Sequence, residues 1–257
     1  MRIELATLPG DPQRPNEDWA SALAPAAGRG GVLVTLDGVT PPRGETGCTH
    51  GVPWFTARLG GLLTELSGSR RDMTLTQVLA EAIRGTAGAH EASCDLSHVR
   101  TPQATVVVVR WDEQVVEHLV LSDSVLLLED PDGAVRAVLD DRLDRVPREV
   151  LRSVPATDAL RNAPGGFFTA AADPSVAVRA VTGTTPRERV RAVAALTDGA
   201  GRWTDTFGEG DWAACLGLVR KAGAHALIAR VREIESGPRG AARGKRHDDA
   251  TVVFAEL

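Results

Sequence analysis

At 257 residues, 43% apolar and 25% charged, the chain has enough apolar material to bury a core without covalent staples. A formal net charge of −5, with basic residues scattered and no aromatic-rich basic stripe, argues against a dedicated nucleic-acid binder. No apolar run approaches the ~20 residues that span a bilayer, and the opening MRIELATLPGDPQ lacks the apolar core of a secretory signal, so a cytoplasmic protein without membrane contact is expected.

In chain order, the first strong element is VLVTL, 32–36, a buried strand that runs into Asp37 and Gly38. Asp-Gly after an apolar run is a common hairpin turn, because both residues tolerate positive φ. The segment after RPNED, 14–18, reads as the hairpin partner of that strand. Residues 52–66 and 74–92 carry apolar side chains at helical spacing. Residues 104–139, rich in β-branched residues and broken by WDEQ and DPDG, predict an antiparallel meander. The charged stretch 140–166 has no clear period and ends in NAPGGFF, a turn leading into another expected strand. Within 185–200, a charged lead-in gives way to a short apolar strand. Residues 211–235 predict one long amphipathic helix. The segment 236–247, SGPRGAARGKRH, reads as a loose basic loop, and DDATVVF, 248–254, as a final strand that ties the carboxyl end back into the fold. With neither a linker nor an internal repeat, the chain is expected to be a single domain over 1–257.

The three cysteines, Cys48, Cys94 and Cys215, are odd in number and widely spaced, which fits a reducing compartment better than a disulfide framework. Cys48 shares the stretch GCTH with His50, a pair that suggests either a metal ligand set or a thiol nucleophile with its base. No second Cys/His pair at zinc-ligand spacing is expected to accompany it, which favours a buried thiol beside a loop histidine. No serine or threonine sits in a G-x-S-x-G elbow, which argues against serine-hydrolase chemistry.

The acids fall at strand ends. Asp37 closes VLVTL, Asp198 closes VAAL, Asp123 interrupts HLVLSDSVLLL, Glu17 and Asp18 precede the first hairpin, and Asp248 and Asp249 open the last strand. Each could simply make a turn. Brought to one sheet edge, they would repel one another and call for a cation. Oxygen-only ligands favour magnesium or manganese over zinc.

Six motifs stand in one order over almost the whole chain: NED at 16–18, LDG at 36–38, ATVVVV at 104–109, LSDS at 121–124, LTDGA at 196–200 and DDATVVF at 248–254. Together they resemble the metal-dependent type 2C, or PPM, family of serine/threonine protein phosphatases. The resemblance implies an α+β fold, a four-layer α/β/β/α sandwich with two central antiparallel sheets. It also implies hydrolysis of phosphoserine and phosphothreonine in a protein partner, by a water bridging two Mn2+ or Mg2+ ions. On this resemblance Asp37 bridges the ions, Asp198 and Asp248 ligate the first, and Glu17 with the carbonyl of Gly38 serves the second. Asp123 would help bind a weaker third ion, while Asp18 and Asp249 would support the ligands. The stretch 140–166 corresponds to the family's variable flap.

Three departures qualify the resemblance. The phosphate-gripping arginine position holds Gln13, with Arg14 one residue nearer the motif. The histidine that often follows the Asp-Gly pair is absent, leaving His50 or a water to protonate the leaving oxygen. Ser122 and Val125 replace the family's glycine and arginine around Asp123. The alternatives are a catalytically silent relative that binds phosphoproteins or a regulatory partner, and an unrelated α/β domain with coincidental Asp-Gly turns.

Overall fold

The computed structural model describes residues 1–240 and 246–257. Two five-stranded antiparallel sheets stack face to face. One has the order β1 (Arg2–Leu8), β10 (Ala250–Glu256), β9 (Ala192–Leu196), β6 (Val125–Glu129), β7 (Val135–Val138). The other has the order β2 (Trp19–Leu23), β3 (Gly31–Leu36), β4 (Val106–Trp111), β5 (Val115–Leu121), β8 (Val181–Pro186). Helices α1 (Val52–Ser69) and α2 (Leu75–Gly88) cover the second sheet, and α5 (Asp198–Asp205), α6 (Trp212–Ala222) and α7 (Ala224–Ser236) cover the first. The short helices α3 (Arg148–Leu151) and α4 (Val154–Leu160) lie in the connection after β7. The architecture is the expected α/β/β/α sandwich.

The central strands read as unbroken apolar runs because they are buried on both faces. On β3, Leu33 points between the sheets with Val107, Val109, Leu126 and Val253, while Val32, Val34 and Leu36 meet Phe55, Leu59 and Val78 of the helices. The helical periods of α1 and α2 follow from the same contact, and α2 starts at a capping box in which Thr74 and Gln77 satisfy each other's backbone N–H. No helix among the described residues is long and apolar enough to cross a membrane.

Three expectations need correction. The meander over 104–139 is two hairpins in different sheets: β4 pairs β5, β6 pairs β7, and the chain changes sheet at Ser122 and Asp123. Ser122 makes that turn at φ 70, the left-handed region in which its family counterpart, a glycine, is unstrained. The helix over 211–235 is two helices, parted at Gly223 with φ 96. The strand expected after NAPGGFF is reduced to an isolated bridge, Ala104 to Ala170. The edge strands β1 and β8 are additional to the expected elements: β8 is polar and largely exposed, and β1 carries apolar residues but is an edge strand with Ala6 as its one buried residue. Part of the loose loop expected over 236–247, residues 241–245, lies outside the described residues.

Candidate active site

Strands β3, β9 and β10 deliver their terminal acids to one edge of the sandwich, where the change of sheet between β5 and β6 adds Asp123. A cleft of about 350 Å3 is lined there by Asp37, Gly38, Asp123, Asp198 and Asp248. All four aspartates are half-buried. Asp198 is the first residue of α5, and its backbone N–H faces Oδ2 of Asp37 at 3.4 Å, so the positive helix end meets the central carboxylate. Asp37 in turn donates its own N–H to Thr105 Oγ1 at 3.3 Å.

Neither Asp-Gly pair is a hairpin turn. Gly38 and Gly199 are outside the positive-φ region, and close approach is what requires a glycine at each. A Cβ on Gly38 would stand 2.4 Å from the carbonyl oxygen of Glu17, and one on Gly199 would stand 2.0 Å from that of Asp249. Each glycine thus lets another acid-bearing segment lie directly against the strand end that carries Asp37 or Asp198.

The supporting acids are held by backbone and hydroxyl donors. Asp249 accepts the N–H of Gly10 at 2.7 Å and of Glu17 at 2.6 Å, clamping the NED loop to the last strand. Thr197 donates its hydroxyl to Oδ2 of Asp18 at 2.9 Å and accepts the Thr251 N–H at 2.9 Å. Glu17 accepts a hydrogen bond from Thr40. Behind Asp248, Arg202 donates to its Oδ2 at 2.9 Å and to Glu235 Oε1 at 2.7 Å. Glu235 is fully buried and also receives Arg232 at 2.7 Å, with His247 Nδ1 at 2.8 Å.

The electrostatics are those of crowded like charges. Burial pushes the Asp37 carboxyl well above the usual range, and Asp198, Asp18, Asp123 and Asp248 push it further. Burial, then Asp248 and Asp123, raise Asp198 to about 7, and burial raises Asp18 to about 8. Asp123 is raised by burial and then by Asp144 and Asp140, which share with it a second acidic cavity that also includes Asp205. The buried Oδ1 of Asp18 accepts no hydrogen bond among the described residues. An all-oxygen donor set under mutual repulsion, with one buried oxygen unpartnered, fits hard divalent cations.

The basic groups are placed differently from the sequence expectation. Arg14 is exposed and lines a neighbouring cavity with Glu17, Thr40, His247 and Asp249, rather than the cleft of Asp37. Arg161 lines that cleft instead. A compact turn fixes it: Phe167 N–H donates to the Leu160 carbonyl, Asn162 N–H to the Phe167 carbonyl, and the guanidinium lies 5.0 Å from the Phe167 ring centre. Burial lowers the Arg161 pKa, opposed by Asp158 and Asp123. Its only signal in the sequence was its place before the NAPGGFF turn. With it come Leu143, Leu151 and Thr157, so the 140–166 segment forms one wall of the cleft.

His50 is not in the cleft. Cys48, His50, His90 and Cys94 put their ligand atoms within 4.8 Å of one another, the one such group of metal-type donors among the described residues. The expectation that Cys48 and His50 had no second pair is therefore wrong: His90 and Cys94, four apart just beyond α2, supply it, and that H-x3-C spacing was legible.

A protein-family model for protein phosphatase 2C matches residues 12–231, and the chain belongs to that family. The solved structures it resembles include the serine/threonine phosphatase Stp1 from Staphylococcus aureus, 12% identical, covering 99% of this chain and 94% of that one, with a TM-score of 0.62. They also include the catalytic domain of the serine threonine protein phosphatase PstP in complex with two manganese ions, 17% identical, covering 99% and 97%, at a TM-score of 0.61. Mycobacterium tuberculosis PstP/Ppp is similar at 17% identity, covering 100% and 98%, with a TM-score of 0.60. Identities this low establish the shared fold. No curated protein matches the sequence.

Proposed function

We propose that this chain, as a single domain, is a metal-dependent phosphatase that hydrolyses phosphoserine and phosphothreonine in proteins. The observation that carries the reading is the meeting of Asp37, Asp123, Asp198 and Asp248 in one cleft with a half-buried arginine, Arg161. Asp37, Asp198 and Asp248, with Glu17 and the Gly38 carbonyl, would hold two Mn2+ or Mg2+ ions, and Asp123 would serve a weaker third. Bound there, the ions would acidify a water for attack on phosphorus and neutralise charge on the phosphoryl oxygens.

The chain's own residues supply positioning. Arg161 offers a planar fork of donors to phosphate oxygens, and its stacking on Phe167 holds the fork in place. Asp249 fixes the Glu17 loop by two backbone N–H bonds, and Arg202 orients Asp248. Leu143, Leu151 and Phe167 give the cleft an apolar lip against which the chain flanking a phosphorylated residue can lie. His50 is assigned no proton-transfer role, because it belongs to a separate cluster.

The test is hydrolysis of p-nitrophenyl phosphate and of a phosphothreonine peptide, with manganese, magnesium or chelator, by the native chain and by Asp37→Ala and Asp198→Ala. Release that needs the metal and vanishes in both variants is the expected result. No release from either substrate by folded native protein with any metal would overturn the reading in favour of a silent phosphoprotein-binding relative.

A further inference from the structure

The connection between β3 and α1 begins at Asp37 and ends at the residues Cys48 and His50. Opposite them, the turns that follow α2 carry His90 and Cys94. Cys48 Sγ lies 3.6 Å from His50 Nδ1 and 3.3 Å from His90 Nδ1, and Cys94 Sγ lies 3.4 Å from His50 Nδ1. With Zn–S near 2.3 Å and Zn–N near 2.0–2.1 Å, the sulfur-to-nitrogen edge of a tetrahedral site is about 3.6 Å. All three distances are within a few tenths of an ångström of that edge. The two sulfurs, 2.9 Å apart, are closer than the roughly 3.8 Å of such a site and beyond the ~2.05 Å of a disulfide. A sulfur pair alone would leave unexplained why two imidazoles turn the same nitrogen, Nδ1, towards it.

We propose that Cys48, His50, His90 and Cys94 form a structural Zn2+ site, distinct from the carboxylate cleft. Two thiolates and two imidazoles are a donor set that zinc prefers and that manganese and magnesium do not. Four protein ligands complete the tetrahedron and leave no open position, the mark of a structural rather than a catalytic zinc. None of the four is among the residues lining the cleft of Asp37.

The surroundings are those of a built site. His90 is buried, and the Trp54 ring stacks on His50 at 4.0 Å between centroids and tilts against His90 at 5.1 Å, forming an apolar wall. The backbone N–H of His50 donates to Cys48 Sγ at 3.4 Å, a contact that favours the thiolate. Asp95 N–H donates to the Gly47 carbonyl at 2.7 Å, tying the two ligand segments together beside the sulfurs. Zinc there would pin the loop that leads away from Asp37 to the end of α2. The proposal does not depend on the phosphatase reading.

The experiment is elemental analysis of the 257-residue chain expressed in zinc-replete medium and purified without chelator, with cobalt substitution as a spectroscopic readout. One zinc per chain is expected, falling to less than a tenth in Cys48→Ser and Cys94→Ser and unchanged in Cys215→Ser, the buried cysteine elsewhere. Should the two serine variants fail to fold, the native chain alone decides. Cobalt should give it the intense visible bands of a tetrahedral thiolate site, removed by zinc but not by manganese. Absence of zinc with no such bands, zinc retained in folded Cys48→Ser and Cys94→Ser, or a Cys48–Cys94 disulfide in freshly purified protein would each overturn it.

Discussion

The two ends of one connection, from β3 to α1, differ in every property that selects a cation. At its start, Asp37 stands in a cleft of oxygen donors that repel one another. At its end, Cys48 and His50 belong to a compact set of sulfur and nitrogen donors. The first arrangement suits hard ions that keep waters and exchange ligands with a substrate, and the second a softer ion held for structure. On the two proposals, donor chemistry alone assigns a metal-dependent reaction and a metal-dependent fold to separate places in one chain.

The sharpest way to break the comparison is at Asp37. Asp37→Asn should lower manganese-dependent turnover by about 10^3-fold or more, since it removes the central charge of the ion site. The chelator-treated variant should be at least as stable as the native chain, because a mutually repelling carboxylate is gone. Urea titration and steady-state rates check both halves, and a variant with near-native turnover would remove Asp37 from the site.

Next in size is Glu235, the buried carboxylate behind Asp248. Glu235→Ala removes the buried carboxylate shared by Arg202 and Arg232, which keep Asp248 and backbone carbonyls as partners, and should cost up to about 3 kcal/mol in urea unfolding. Zinc content should stay the same, because none of these groups approaches the cysteines. A loss under about 1 kcal/mol would mean that solvent replaces these ion pairs.

Arg161 sharpens the cleft side of the comparison. Loss of a charge-assisted pair with phosphate is worth about 1.5–3 kcal/mol, so Arg161→Ala should lower kcat/KM by roughly 10- to 100-fold. Arg14→Ala, at an exposed position outside the cleft, should change it less than about threefold. The reverse order would return the phosphate-gripping role to Arg14.

The remaining prediction is a pH trend. Asp198 at about 7 and Asp18 at about 8 stand above the ordinary value of 3.8. The folded chain then binds more protons than the unfolded chain between about pH 4 and 8, so stability of the ion-free protein falls as pH rises through that window. Manganese offsets the same repulsion, and its stabilising shift in Tm should grow from acid to alkaline pH. A shift that shrinks as pH rises would contradict the assigned carboxylate environment.

Legibility divided along the same line as the chemistry. Asp37 and Asp198 ended strongly apolar strands, Asp248 opened one and Asp123 lay between two, so their places at strand ends followed from the strands themselves, and the order of motifs supplied the fold. The glycines beside Asp37 and Asp198 were legible as a motif but not as a mechanism, since only packing reveals that Glu17 and Asp249 press against them. Ser122 hid the change of sheet, because a serine carries no signal for φ 70. Arg161's place in the cleft and the meeting of the two Cys/His pairs were hidden for another reason. Arg161 reaches the cleft through a turn in a stretch without periodicity, and His90 meets Cys48 only because α1 and α2 fold back on each other. Contacts between residues more than 40 positions apart in loops leave no local pattern to read.

The most direct measurement is calorimetric titration of manganese into the zinc-replete chain, native and Asp37→Asn, with zinc content measured before and after. The native chain should take up two manganese ions, Asp37→Asn should lose this uptake, and both should keep one zinc. Manganese uptake unchanged by Asp37→Asn, or manganese displacing the zinc, would contradict the separation of the two sites.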